Sequence, residues 1–154
     1  MIKILFVCHG NICRSPFAEF VMKELVKSKG LENEFFIRSA ATSTEETGNG
    51  VYPPVKRLLE KRGINCNEKR ATQVKKVDYE NYNYIVCMDK NNLRNIARIV
   101  GNDTENKISL LLDYTATPRD VADPWYTGDF EATQTDVDNG CSALLEYIKQ
   151  HNGI

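Results

Sequence analysis

The chain has 154 residues, enough for one domain with a buried core, and we expect a single domain over residues 1–154. Its 20 basic and 21 acidic residues give a formal net charge of -1, so its composition offers no electrostatic basis for a nucleic acid or a membrane surface as the main partner. The first residues lack the apolar core of a signal peptide, and no stretch approaches the ~18 apolar residues of a membrane span, so we expect a cytoplasmic location.

The first predicted elements are a strand over residues 2–8, a loop, and a helix over about 16–29. Ile4 to Val7 is an apolar run typical of a buried strand. Ser15-Pro16 is typical of a helix N-cap followed by a first-turn proline. The residues from Cys8 to Arg14 should therefore form a loop whose backbone N–H groups point inward beside a helix N-terminus, which is an anion-binding arrangement.

Within this loop, a cysteine, five intervening residues and an arginine form the spacing that a phosphate-binding thiolate needs. Gly10 suits a tight turn near the ligand, and Arg14 can bind two phosphate oxygens through its planar guanidinium. Amide dipoles, the helix N-terminus and the guanidinium favour a thiolate at Cys8, which we predict to be the nucleophile. Ser15 can donate a hydrogen bond to the sulfur, and Asn11 can hold the loop. The alternative is a small apolar cysteine at a strand end. The candidate phosphate-binding residues are His9, Gly10, Asn11, Ile12, Cys13 and Ser15.

Downstream of the first helix, short apolar strands alternate with amphipathic helices. The predicted strands are 35–39, 83–88 and 107–112, and the predicted helices are 53–62, 90–99 and about 129–150. Because no repeat or low-complexity linker interrupts this alternation, it predicts a parallel sheet. In an open α/β sheet the ligand lies outside the carboxyl ends of the strands, where the cysteine loop falls.

A second candidate segment, Val121 to Gly128, lies between the last predicted strand and the last predicted helix. Expulsion of a phenolate is slow unless a proton reaches the leaving oxygen, so Asp123 above the phosphate site can act as general acid and then activate water. Trp125 and Tyr126 can flank an aromatic leaving group and exclude water. The alternative is an ordinary Asp-Pro turn with aromatic side chains that anchor the surface.

Together these segments resemble the low-molecular-weight protein tyrosine phosphatase family, and the resemblance covers nearly the whole chain. The segments that carry it are Val7–Pro16 as the phosphate-binding loop, Ser39–Ser43 as the second-strand turn, Tyr84–Asp89 as the third-strand end and Asp123–Tyr126 as the acid loop. The cysteine-to-arginine spacing alone is moderately specific. Its N-terminal placement and the distant Asp-Pro make the combination very specific.

The resemblance implies Cys8 as nucleophile, Arg14 as the clamp of the phosphate and the transition state, and Asp123 as general acid. It also implies a supporting hydrogen-bond network of Asn11, Ser15 and Ser39. The implied fold is a doubly wound four-stranded parallel sheet with helices on both faces, and no metal or organic cofactor is implied. We therefore predict hydrolysis of protein phosphotyrosine through a phosphocysteine, by a monomer with at most weak self-association.

Three features depart from the family pattern. His9 follows the nucleophile where many relatives carry Leu or another uncharged residue, and Lys69 and Thr72 stand where many relatives have His and Arg. The resemblance therefore does not carry the usual support behind the second-strand turn over to this chain. The loop at Glu45, Glu46 and Thr47 is acidic and polar where several relatives place an aromatic wall. The preference for particular peptides is expected to shift accordingly.

The five cysteines are an odd number without a Cys-x-x-Cys pair, which argues against a disulfide framework and a structural zinc site. Cys13 lies five residues from Cys8 in the same loop. Oxidation can therefore form a protective disulfide, which the resemblance supports and which sulfenic acid chemistry makes reasonable. The alternative is a buried structural thiol, the role expected of Cys66, Cys87 and Cys141.

Three other functions remain open. An arsenate reductase on the same fold needs a closely spaced pair of relay cysteines, and Cys66 and Cys87 are far apart in sequence. A phosphoarginine phosphatase carries Thr where this chain has Ile12, and the bulkier Ile is more compatible with phosphotyrosine. A non-catalytic phosphoprotein-binding or redox module needs neither the nucleophile nor the acid, both of which are present.

Overall fold

Four parallel strands form one sheet in the computed structural model, which describes residues 1–154. The strands are β1 (Ile2–Cys8), β2 (Phe35–Ala41), β3 (Tyr84–Cys87) and β4 (Ile108–Leu110). They lie in the order β2-β1-β3-β4, and every neighbouring pair is parallel. Cys8 at the end of β1 pairs with Ala41 at the end of β2, so the carboxyl ends of these strands meet at one edge of the sheet.

Six helices connect and cover the strands. They are α1 (Arg14–Ser28), α2 (Pro53–Lys61), α3 (Asp78–Asn81), α4 (Lys90–Val100), α5 (Pro124–Thr127) and α6 (Phe130–Asn152). The sequence predicted α1, α2, α4 and α6 but missed α3 and α5, because a single turn is too short to show helical periodicity. None of these helices is both long enough and apolar enough to cross a bilayer.

Both faces of the sheet are buried, as the alternating side chains of β1 show. Ile4 and Phe6 belong to the larger apolar cluster, which includes buried residues of α1, α2 and α6. Leu5 and Val7 belong to the smaller cluster on the other face, which includes Ile96 of α4. Because successive strand residues point to opposite faces, helices must cover both sides of a strand that is apolar throughout. The predicted doubly wound α/β fold is confirmed.

Two local predictions were wrong. The predicted last strand, 107–112, is shorter: β4 ends at Leu110, and Leu111–Tyr114 form a 3-10 turn because the carboxylate of Asp113 accepts a hydrogen bond from the backbone N–H of Leu110. Ser15 is not the N-cap of the first helix, which begins at Arg14. The Ser15 hydroxyl is instead engaged with the sulfur and amide groups of the preceding loop.

Candidate active site

The cysteine loop wraps the end of β1 around the Cys8 sulfur. Asn11 has a left-handed backbone with a φ of 58°, a conformation that asparagine tolerates better than most residues. This turn directs the Asn11 backbone N–H at Cys8 Sγ, 3.3 Å away. The Cys8 carbonyl in turn accepts a hydrogen bond of 2.9 Å from the Thr42 N–H, which ties the loop to the end of β2. The loop therefore presents a backbone hydrogen-bond donor to the Cys8 sulfur.

A chain of side-chain hydrogen bonds lies beneath the sulfur. Ser15 Oγ is 3.0 Å from Cys8 Sγ. The Asn11 side-chain amide donates to Ser15 Oγ at 2.8 Å and to Ser39 Oγ at 2.9 Å. Because Ser15 accepts from this amide, its own hydroxyl proton is free to be donated to the sulfur. Asn11, Ser15 and Ser39 therefore meet as the network that the family resemblance implies.

The network continues to a buried carboxylate in α1. The Ser39 hydroxyl donates to Glu19 Oε1 at 2.5 Å, and Glu19 is only 2% exposed. The ammonium of Lys23 lies 2.5 Å from Glu19 Oε2, and that of Lys69 lies 3.6 Å from Oε1. Burial lowers the pKa of Lys69, and the charge of Glu19 opposes this shift. The buried carboxylate is thus compensated by two cations and a hydroxyl donor, as a buried charge requires.

Lys69 and Thr72, which depart from the family pattern, both contact this network. Lys69 Nζ donates to the Ser39 carbonyl at 2.9 Å. The backbone N–H of Thr72 donates to Asn11 Oδ1 at 3.2 Å, which fixes the orientation of the Asn11 amide. Their residue types left open what supports the second-strand turn in this chain. In the structure, the Lys69 ammonium binds the second-strand turn at Ser39, and the Thr72 backbone N–H binds Asn11 in the phosphate-binding loop.

Arg14 lies with its guanidinium buried against two carboxylates. Its Nη1 donates to Asp89 Oδ2 at 2.7 Å and to the Val121 carbonyl at 2.8 Å, and its Nη2 lies 3.4 Å from Asp123 Oδ2. The Nε–H and one Nη2–H have no acceptor within the chain, and these two donors suit two phosphate oxygens. Burial disfavours the charged form of Arg14 and so lowers its pKa. The negative charges of Cys8, Asp123 and Asp89 have the larger combined effect and raise the pKa of Arg14 above its usual value.

The acid loop holds Asp123 beside this guanidinium. Asp123 caps α5, because its Oδ1 accepts the Trp125 backbone N–H at 3.0 Å. Its Oδ2 is the atom nearest Arg14, and the side chain is 24% exposed. The Val121 N–H donates to the Met88 carbonyl at 2.8 Å, which fixes the loop to the residue after β3. Asp123 is thus both the capping residue of an Asp-Pro turn and a carboxylate within reach of the buried guanidinium.

Two aromatic side chains of α5 are exposed beside the site. Trp125 is 53% exposed and Tyr126 is 82% exposed. The Trp125 ring packs against Tyr52 at a centroid distance of 4.9 Å, and Tyr52 in turn stacks on Phe130. Tyr52 therefore covers part of the Trp125 side chain, whereas Tyr126 is mostly exposed to solvent.

One cavity brings most of the predicted site residues together. It is lined by Cys8, His9, Gly10, Ile12, Cys13, Arg14, Asp123, Trp125 and Tyr126, and also by Glu45 and Glu46. The predicted residues that do not line it, Asn11, Ser15 and Ser39, form the network beneath it. Nowhere in the chain do three His, Cys, Asp or Glu side chains converge as metal ligands.

Cys13 lines the cavity as a buried free thiol. Burial, reinforced by the nearby charges of Cys8 and Asp123, raises its pKa from 9.0 to about 12. Cys66, Cys87 and Cys141 are also free and buried, and burial raises the pKa of each. Cys13 is therefore the only other thiol in the cavity of Cys8.

Three residues that hold the site in place, Asp89, Glu19 and Lys69, were not predicted from the sequence as site residues. Asp89 binds Arg14 through Oδ2 and caps α4 through Oδ1, which accepts the Asn92 N–H at 2.8 Å. Asp89 directly follows a predicted strand, at the edge of the sheet where ligands bind, and this position could have indicated a site role. Glu19 lies one helical turn after Ser15, but only the tertiary structure brings Lys69 to it.

Both the sequence and the fold of this chain are similar to those of known proteins. A family model described as low molecular weight phosphotyrosine protein phosphatase matches residues 3–153. The chain is 37% identical over 152 residues to the low molecular weight protein-tyrosine-phosphatase YfkJ of Bacillus subtilis, covering 97% of both, and 43% identical over 152 residues to the low molecular weight phosphotyrosine protein phosphatase of Gallus gallus, covering 94% of both. The crystal structure of YfkJ superposes with a TM-score of 0.94 over 98% of this chain and 96% of that one. A Drosophila arginine phosphatase gives a TM-score of 0.87 at 28% identity, over 96% and 98% of the two chains.

Proposed function

This chain belongs to the low molecular weight phosphotyrosine protein phosphatase family of cysteine-dependent phosphatases, and we propose that it hydrolyses phosphotyrosine in proteins through a phosphocysteine intermediate. One observation carries the proposal. The Cys8 sulfur, held by the Asn11 N–H at 3.3 Å and near the Ser15 hydroxyl at 3.0 Å, lines the same cavity as the Arg14 guanidinium and the Asp123 carboxylate.

In the first step, the Cys8 thiolate attacks phosphorus in line with the departing phenolic oxygen. The S–P bond forms as the P–O bond breaks, and Asp123 gives its proton to the leaving oxygen. The two free N–H groups of Arg14 and the inward backbone amides of the loop stabilise the charge on the equatorial oxygens. Because Arg14 is fixed by Asp89 and the Val121 carbonyl, these donors need no rearrangement during the step.

In the second step, water attacks phosphocysteine and releases inorganic phosphate. Asp123, now a carboxylate, takes the proton from water, and the S–P bond breaks to restore the Cys8 thiolate. Ser15 assists this step, because its hydroxyl proton can be donated to the departing sulfur.

The aromatic wall of the cavity supports an aryl phosphate as substrate. Trp125 and Tyr126 present open ring surface at the mouth, against which a tyrosine ring can pack and exclude water. We accordingly propose a phosphotyrosine-containing protein or peptide as the partner. A monomeric state and a cytoplasmic location stay predictions from the sequence.

The test is hydrolysis of an aryl phosphate, a phosphotyrosine peptide and phosphoarginine at mildly acidic pH, by the wild type and by Cys8→Ser. Activity on the first two that disappears in the variant, with a phosphoenzyme trapped by rapid quench of the wild type, is the expected result. A wild type that turns over these substrates without a trappable phosphoenzyme would refute the covalent step. No activity of the reduced protein on any substrate would refute the phosphatase proposal altogether.

Phosphoarginine is the second candidate substrate, because the fold superposes on that of a Drosophila arginine phosphatase. The Ile12 side chain lines the cavity and narrows it more than a threonine would. We therefore expect phosphotyrosine to be preferred, and Ile12→Thr to raise the phosphoarginine-to-phosphotyrosine ratio of kcat/KM. Arsenate reduction is disfavoured, since Cys66 and Cys87 belong to core clusters on opposite faces of the sheet.

We also propose that Cys13 protects Cys8 from irreversible oxidation. Peroxide converts the Cys8 thiolate to sulfenic acid, and attack by the Cys13 sulfur then forms the disulfide and releases water. The raised pKa of Cys13 predicts that this second reaction is slow at neutral pH, because the attacking species is the thiolate. Mass spectrometry after mild peroxide should find the Cys8–Cys13 link, whereas over-oxidised Cys8 without the link would count against it.

A further inference from the structure

The mouth of the catalytic cavity has a wall of two carboxylates. The ionisable residues that line the cavity, besides its two cysteines and Tyr126, are His9, Arg14, Glu45, Glu46 and Asp123. Arg14 lies on the floor, 2% exposed, and is already paired with Asp89 and Asp123. A phosphoryl group bound there engages the remaining guanidinium donors. The part of the substrate outside the floor therefore meets Glu45 and Glu46, with His9 as the only basic side chain that lines the rim.

The segment that carries these carboxylates is tied directly to the phosphate-binding loop. The Thr42 N–H donates to the Cys8 carbonyl at 2.9 Å, and the Ser43 N–H donates to the His9 carbonyl at 3.1 Å. The Ser43 hydroxyl donates to the same His9 carbonyl at 2.9 Å. These bonds fix the start of the segment two residues before Glu45. Glu45 and Glu46 thus follow residues whose backbone is hydrogen-bonded to the loop of the nucleophile.

Each carboxylate also has its own side-chain contact at the rim. Glu45 Oε2 lies 3.0 Å from His9 Nε2, and Glu46 Oε2 accepts a hydrogen bond of 2.7 Å from the Asn49 side-chain amide. Each of these contacts involves one oxygen of its carboxylate. The other oxygens remain free to accept hydrogen bonds from a ligand, and the Glu45 side chain is 70% exposed.

The α5 wall of the cavity favours the same kind of ligand. Trp125 and Tyr126 are 53% and 82% exposed, and both line the cavity. Aromatic ring faces attract the cations of arginine and lysine side chains. A basic residue next to a bound phosphotyrosine therefore has carboxylates and aromatic faces available to it, whereas an acidic residue has only the rim contact with His9.

We propose that Glu45 and Glu46 make this phosphatase select phosphotyrosine flanked by arginine or lysine. The proposal rests on the proposed function and specifies its substrate class. Exposed charge pairs contribute modestly, so each contact changes kcat/KM by about two- to fivefold, and the two together by about tenfold at low salt. The selectivity must shrink as salt is added, because the rim is exposed to solvent.

The experiment uses three phosphotyrosine peptides that differ only in the two residues on each side, which are arginine, glutamine or glutamate. Values of kcat/KM are measured for each at low and at high salt. The wild type should prefer arginine over glutamine and glutamine over glutamate, with a ratio of about ten between the extremes at low salt. The ratio should fall at least threefold in Glu45→Gln/Glu46→Gln, and the order should invert in Glu45→Lys/Glu46→Lys.

The matched control removes the same charge elsewhere. Glu24 is exposed on α1, ten residues or about 15 Å along the helix from Arg14, and Glu34 is exposed before β2. Glu24→Gln/Glu34→Gln should keep the wild-type ratio, which separates a local effect from one of net charge. Thermal unfolding of every variant shows whether its fold is retained.

The outcomes separate this inference from the proposed function. Equal hydrolysis of all three peptides, or a preference that survives Glu45→Gln/Glu46→Gln, would overturn the selectivity while leaving the phosphatase intact. If none of the peptides is hydrolysed while phosphoarginine is, the proposed phosphotyrosine substrate fails, and this inference fails with it.

Discussion

Replacement of Asp123 by asparagine separates its proposed role as general acid from its structural role. In Asp123→Asn, the amide oxygen can still accept the Trp125 backbone N–H, so the cap of α5 is kept, whereas the proton for the leaving group is lost. Asp123→Ala removes both the cap of α5 and the proton donor, and loss of the cap destabilises the protein by about 0.5–2 kcal/mol. We therefore expect the two variants to share the catalytic defect and to differ in stability.

The magnitude of the catalytic defect depends on the leaving group. General acid catalysis contributes about 10²–10⁴ in rate, and tyrosine, with a pKa of about 10, is a poor leaving group without a proton. Hydrolysis of phosphotyrosine by Asp123→Asn should therefore slow by about 10²–10⁴. Hydrolysis of an aryl phosphate with a strongly acidic phenol should slow much less, since its phenolate departs without protonation.

The assay is single-turnover formation of phosphocysteine across a series of aryl phosphates of graded phenol acidity. Asp129→Asn is the matched control, because Asp129 also caps a helix, accepting the Ala132 N–H at 3.0 Å, but does not line the cavity. We expect the rate of phosphocysteine formation to depend more steeply on phenol acidity in Asp123→Asn than in the wild type and the control. If Asp123→Asn slowed all leaving groups equally, the acid assignment would be refuted.

Three further predictions concern buried groups. Glu19→Gln leaves its two lysine partners without their counter-charge, so urea unfolding should show a free energy of unfolding lower by about 2–4 kcal/mol. A decrease below about 0.5 kcal/mol would contradict the view that Glu19 and the two lysines compensate each other's charge. In Gly140→Ala, the added methyl would lie 2.9 Å from Leu111 Cδ2, so overpacking should reduce the free energy of unfolding by about 1–3 kcal/mol, whereas an unchanged value would show that α6 can move aside. Because the pKa of Cys13 is raised from 9.0 to about 12, the unfolded thiol ionises first, and the free energy of unfolding should fall from about pH 9 towards pH 12. In Cys13→Ala, the free energy of unfolding measured in urea should fall less steeply with pH over this range. An identical fall would refute the contribution of Cys13.

Local spacing was enough to predict the part of the site that lies on one stretch of chain. Cys8 and Arg14 belong to a single strand–loop–helix unit. Their proximity in space therefore follows from the apolar run before the loop and the helix after it. Asp123 is different, because it lies 109 residues from Arg14. The Asp-Pro segment predicted an acid above the phosphate site, but an ordinary turn was the alternative until the family resemblance favoured the acid. The structure places the Asp123 carboxylate 3.4 Å from the guanidinium.

The groups that hold the site were not predictable because their contacts arise from the tertiary structure. Asp89 reaches Arg14 across 75 residues, through the neighbouring ends of β1 and β3. Glu19 lies on a helix among core residues, where a charged residue is ordinarily out of place. The burial of its carboxylate becomes intelligible only once Ser39 and Lys69 are seen beside it.

Asn11 shows why this cradle depends on the whole fold. Its left-handed backbone, unfavourable for most side chains by about 1–2 kcal/mol, turns its N–H towards the sulfur, and glycine would adopt this conformation without strain. Glycine, however, would lose the side chain that donates to Ser15 and Ser39 and accepts from the backbone N–H of Thr72. Aspartate could accept from Thr72 but could not donate to two hydroxyls. Asparagine satisfies both requirements, and its side chain joins three separate segments of the chain, so the geometry around the nucleophile forms only when those segments have assembled.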